Sequence, residues 1–157
     1  MLVLRKKNLG AEHPDTTAAM ANLGFNHLKQ KNHAEAEPLL RECLAIREKT
    51  QPKTWLLANT QSLLGEALAG QAREILSTDP VAAAGTLADA EPLLLSGYDG
   101  LKARAESIPV PIRTTRLTEA LQRLIDLYSA WDKPTEVTRW RKELEAGKAA
   151  GKEASNP

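Results

Sequence analysis

The chain has 157 residues, with 21 basic side chains against 20 acidic ones and a formal net charge of +1. Such a balance supplies no basic field for nucleic acid or an anionic membrane and no acidic field for cations, so neither is expected as a partner. The single Cys excludes an internal disulfide, and with the three His residues it gives no paired zinc-ligand spacing, so no metal and no cofactor are expected.

The apolar content of 42% is dominated by 24 Ala and 24 Leu, against nine Val and Ile together. That is a helix-forming mixture, and it predicts an all-α protein. The N-terminal stretch Met1 to Gly10 places its apolar run before Arg5, Lys6 and Lys7, the reverse of a secretory signal, and is too short to span a bilayer. A cytoplasmic location is expected. Met1 to Lys7 also reads as the last two turns of a helix that belongs to a preceding unit. Its apolar residues Leu2, Val3 and Leu4 call for a neighbour, so more repeats are expected upstream.

A first hairpin follows. Ala18, Ala21, Leu23, Phe25 and Leu28 give one helix after Pro14, with Asp15 or Thr16 as its N-cap. After a break at Lys31-Asn32-His33, where His33 is expected to be solvated, Ala36, Leu39, Leu40, Cys43, Ala45 and Ile46 give a second, with Pro38 near its first turn. In the second hairpin, a helix from about Thr54 to Ser77 leads to Asp79-Pro80, a cap and first-turn proline for its partner. Gly85, Gly97 and Gly100 are expected to weaken that partner, each by about 1 kcal/mol relative to Ala. The run Ile108-Pro-Val-Pro-Ile112 should block a helix, so the third hairpin is placed after it, at about Arg113 to Trp131 and then through Val137, Trp140 and Leu144. From Gly147 no large apolar residue remains, and a mobile tail is expected.

These hairpins are related to one another. Ala34-Glu-Ala-Glu-Pro-Leu-Leu40 returns as Ala88-Asp-Ala-Glu-Pro-Leu-Leu94 at an offset of 54, whereas Leu23-Gly24 returns as Leu64-Gly65 at an offset of 41. The second unit therefore carries 13 extra residues at its turn. Shared between two helices, they lengthen each by roughly 10 Å, so this hairpin should project. A diverged third copy runs from Leu121 to Leu144.

With Ala36 at the small-residue position that opens a second helix, Met20, Leu23, Gly24, His27, Leu40 and Cys43 fall on the signature positions of tetratricopeptide repeats. The wording Leu9-Gly10-Ala11-Glu12-His13-Pro14-Asp15-Thr16, then Asn22-Leu23, resembles the longer repeats of the kinesin light chain type. The run Leu39 to Pro52 is similar to the repeat tails of some bacterial serine/threonine protein kinases, although no kinase motif is present. The resemblance implies stacked antiparallel hairpins in a short right-handed solenoid of about six helices plus the N-terminal remnant. Its units are 1–12 as the end of a preceding repeat and linker, 13–50, 54–107 and 113–146 as repeats, and 147–157 as the tail.

No catalytic constellation emerges. His13-Pro14-Asp15 spells a J-domain tripeptide but stands in repeat-linker wording. The glycines from Gly147 to Gly151 miss the phosphate-loop spacing. Cys43 and His27 fit packing positions, and Trp55, Trp131 and Trp140 fall on apolar stripes or hairpin ends. The resemblance implies a non-enzymatic module that binds a protein or peptide on its concave face, with Asn22, Phe25, Lys29, Ser62, Glu66, Gln122, Arg123 and Asp126 lining the groove. The alternative is a docking or regulatory tail of a larger kinase, inactive by itself. Self-association through exposed solenoid ends is a further possibility.

Overall fold

The computed structural model of the protein describes residues 2–153, and among these it is all-α. Seven α-helices follow in order: α1 (Leu2–Leu9), α2 (Pro14–Lys29), α3 (His33–Thr50), α4 (Trp55–Ile75), α5 (Pro80–Ala103), α6 (Val110–Ala130) and α7 (Pro134–Glu153), with one 3-10 turn at Ala105–Ser107. They pack as a two-layer array. Helices α2, α4 and α6 lie side by side, and each rests on the helix before it and the helix after it; the α4–α5 contact is the most extensive.

The glycines show how the units correspond. A Cβ on Gly24 would meet the Leu40 side chain at 2.7 Å, and one on Gly65 would meet Leu94 at 2.6 Å. Gly24 and Gly65 are one repeat pair, Leu40 and Leu94 the other, so the first two hairpins close through the same glycine-on-leucine contact. The first and third hairpins share a turn as well. Lys31 and Asp132 both adopt a left-handed backbone, at φ 61° and 53°. Around them Asn32 N–H donates to His27 O and Lys133 N–H to Tyr128 O, both at 2.9 Å, which is the six-to-one bond of a Schellman turn.

The second hairpin departs from this pattern at its turn. Helix α4 runs five residues further past Gly65 than α2 runs past Gly24, and α5 has seven more residues ahead of Pro92 than α3 has ahead of Pro38. The added chain thus lies at the far end of the hairpin, where Val81 is 82% exposed.

Several local expectations are corrected. The cap of α2 is His13, whose Nδ1 accepts from Asp15 N–H at 3.1 Å, rather than Asp15 or Thr16. Helix α6 starts at Val110, within the proline run, because Pro111 sits in the first turn, where no amide donor is needed. Pro38 lies inside α3, beyond its first turn. Gly97 and Gly100 are not weak points of α5 relative to Ala; they let it approach α4, since a Cβ would come within 2.7 Å of Ser62 N and of Ala58 Cβ. His33 is buried rather than solvated, and its ring occupies the space left open by Gly70. The residues expected to form a tail from Gly147 are helical through Glu153, in an Ala-rich segment whose Lys148 pairs with Glu145 at 3.0 Å. The rest of that tail, 154–157, lies outside the described residues, as does Met1.

The core is built from leucine and alanine. Its largest cluster joins α4 and α5 to α6 and α7 through Leu87, Leu94, Leu101, Leu124 and Leu127, with Trp140 edge-on to Tyr98 at 5.5 Å between ring centroids. A second cluster joins α3 and α4, and a small one around Met20 and Cys43 joins α2 and α3. Cys43 is fully buried, and burial pushes its thiol pKa up, which suits a packing role. Trp55 and Trp131 pack at the margin of the largest cluster.

Candidate functional site: the groove across α2, α4 and α6

One groove of about 190 Å³ is shared by the three parallel first helices. Phe25, Leu28 and Lys29 come from α2, Glu66 from α4, and Glu119, Gln122, Arg123 and Asp126 from α6. The groove continues at both ends. Through Leu28, Lys29 and Glu66 it opens into a 450 Å³ hollow beside Lys31, His33 and Arg73. Through Glu119 and Gln122 it runs into a 380 Å³ hollow beside Thr114, Thr115 and Thr118.

Six of the eight residues read from the sequence meet here: Phe25, Lys29, Glu66, Gln122, Arg123 and Asp126. Ser62 lies beneath them. It is fully buried and accepts a hydrogen bond from Arg123 Nη1 at 3.1 Å, so it forms the floor rather than the lining. Asn22 is elsewhere: it is exposed beside Leu2, Arg5 and Asn26, at the α1 end of the array.

The site is polar and closely paired. Arg123 is only 9% exposed, and burial works against its charge while Glu66 and then Glu119 support it. Arg73 pairs with Glu66 at 2.6 Å, and Gln122 Nε2 donates to Asp126 Oδ1 at 2.8 Å. Two cations approach the Phe25 ring, Lys29 Nζ at 5.0 Å and the Arg116 guanidinium at 5.2 Å from its centroid. Lys29 and Glu119 approach to 3.7 Å, joining α2 directly to α6 across α4.

Glu119 and Arg116 were not singled out from the sequence. Both share a helix face with Arg123, at spacings of four and seven residues. That spacing is the signal that could have found them once Arg123 was placed in the groove.

Among the described residues no group of His, Cys, Asp and Glu could hold a metal ion, and no helix is long and apolar enough to cross a membrane.

The architecture is that of a tetratricopeptide-like helical repeat. Residues 2–49, which span α1, α2 and nearly all of α3, match the model of the tetratricopeptide repeat family. No curated protein matches the chain. Repeats of this family generally mediate contacts between proteins.

Proposed function

We propose that the chain is a non-catalytic module that binds an extended peptide segment of a protein partner along the groove of α2, α4 and α6. The observation that carries this reading is continuity. Three hollows share lining residues and cross the face of three successive repeats, as an extended chain requires and a compact small molecule does not. The lining is rich in groups that bond a peptide backbone or polar side chains: Gln122, Arg73, Arg123, Glu66 and the threonines of α6. Phe25 and Leu28 supply a modest apolar contact between them.

Peptides selected from a random display library against the folded chain, then titrated into ¹⁵N-labelled protein, test this. Amide shifts should cluster at Phe25, Glu66 and Gln122. Shifts confined to the outer helices α3, α5 and α7 would sink the groove assignment.

A further inference from the structure

The middle of the groove holds an uneven grouping of charge. Glu119 is approached by three cations: Lys29 Nζ at 3.7 Å from Oε1, Arg116 Nη1 at 3.0 Å and Arg123 Nη2 at 3.8 Å from Oε2. The other two carboxylates of the groove have partners of their own, Arg73 for Glu66 and Gln122 for Asp126. Three cations from two helices thus converge on Glu119, and Glu66 supports the charge of Arg123 as well. Lys29 also keeps 64% of its side chain in solvent, free to turn toward another anion.

The geometry of this contact is unusual for a helical array. Neighbouring helices pack about 8–10 Å apart, so α2 and α6, with α4 between them, are separated by about twice that. Long side chains that converge on Glu119 and the Phe25 ring join them. A carboxylate held at that point draws the two walls of the groove together.

We propose that Glu119 is a built-in occupant of an anion-receiving site. It holds Lys29, Arg116 and Arg123 in the place that a Glu or Asp side chain of an incoming peptide takes over, and the partner is therefore an acidic peptide segment. This rests on the groove reading above and adds to it the charge of the ligand. On binding, the peptide carboxylate takes the cations and Glu119 turns outward to solvent. The exchange keeps the three cations paired and leaves the Glu119 carboxylate to water, while it opens the α2–α6 contact.

Fluorescence anisotropy with a labelled Gly/Ser octapeptide carrying two Glu residues, compared with the same peptide carrying two Gln or two Lys, tests the proposal. Glu119→Gln keeps the side-chain shape and removes the competing charge. It should bind the Glu peptide about tenfold more tightly than the parent chain, the effect of one charge-assisted contact no longer contested. Lys29→Ala, at an exposed position that does not threaten folding, should weaken the Glu peptide in both backgrounds. Equal or weaker binding to Glu119→Gln, no binding of the Glu peptide to that variant, or equally tight binding of the Gln or Lys peptide would each overturn it. Display-selected peptides that map to the groove but lack acidic residues overturn this inference and leave the groove standing. Peptides that map to the outer helices overturn both.

Discussion

Glycine in this chain has two opposite roles, and the difference can be measured. Gly97 faces the backbone of Ser62, which cannot swing away, whereas Gly85 lies on an exposed part of α5 with nothing within 4 Å of a Cβ. Gly97→Ala should therefore destabilise by about 1–3 kcal/mol through overpacking. Gly85→Ala should stabilise by up to about 1 kcal/mol, because the helix loses its least favourable residue. Urea unfolding of the two variants gives both signs, and Gly97→Ala should also displace Arg123, which rests on Ser62. Arg47 offers a second test. The residue is 2% exposed, its guanidinium donates to Leu56 O at 2.9 Å and Thr60 Oγ1 at 2.6 Å, and among the described residues no carboxylate pairs with it. Burial draws its pKa below the usual guanidinium value. Arg47→Met keeps most of the volume, and Leu56 O retains the Thr60 hydroxyl as a donor, so it should change stability by less than about 1.5 kcal/mol. A loss above 3 kcal/mol in urea melts would show that the buried charge is indispensable.

At the scale of elements, two carboxylates tie one hairpin to the next. Burial pushes the Glu37 pKa up, but hydrogen bonds from Gln71 and Arg41 outweigh it and hold the carboxyl below its ordinary value of 4.5. Glu143, which accepts from Lys102 and from the Tyr98 hydroxyl, is held below that value as well. Both groups have a lower pKa folded than unfolded. Their contribution is therefore complete above the unfolded value and disappears as pH falls through the folded one. Thermal melts between pH 6 and pH 3 should show a falling midpoint, with a shallower fall in Glu37→Gln and Glu143→Gln; an unchanged slope in both would refute the linkage. The hairpins themselves were legible in the sequence, because Leu23-Gly24 and Ala34 to Leu40 return as recognisable copies. What was not legible depends on three dimensions. His33 is buried because Gly70, 37 residues later, leaves space for its ring, and Glu74 lies 2.6 Å from its Nδ1. Helix α6 could begin inside a proline run because Pro109 is its N-cap and Pro111 falls in its first turn. Six groove residues could be named because resemblance to the repeats assigns an inward face to each first helix. Glu119 was passed over, because a Glu on a helix is most often a solvated one, although its spacing of four residues from Arg123 puts it on the same face.

At the scale of the whole molecule, cohesion is uneven. The α4–α5 pair has the largest contact and anchors the main core cluster, while α1 has no buried residue and leaves Val3 77% and Leu4 62% exposed. In arrays where each unit touches only its neighbours, stability is a sum of local terms, and the poorly covered end opens first. Native-state hydrogen exchange should therefore find its slowest amides in α4 and α5 and its fastest helical amides in α1. Uniform protection across the seven helices would contradict this.

The added length of the second hairpin lies past both of its repeat contacts, and the turn at its end, residues 76–79, is exposed throughout. The glycine-on-leucine contacts do not depend on how long this arm is, and Arg73, near the start of the added length, is where the arm meets the groove. The turn at its end is accordingly the natural splice point for a reporter: a fluorophore or small domain inserted there would be carried by the central hairpin without altering any residue that lines the groove.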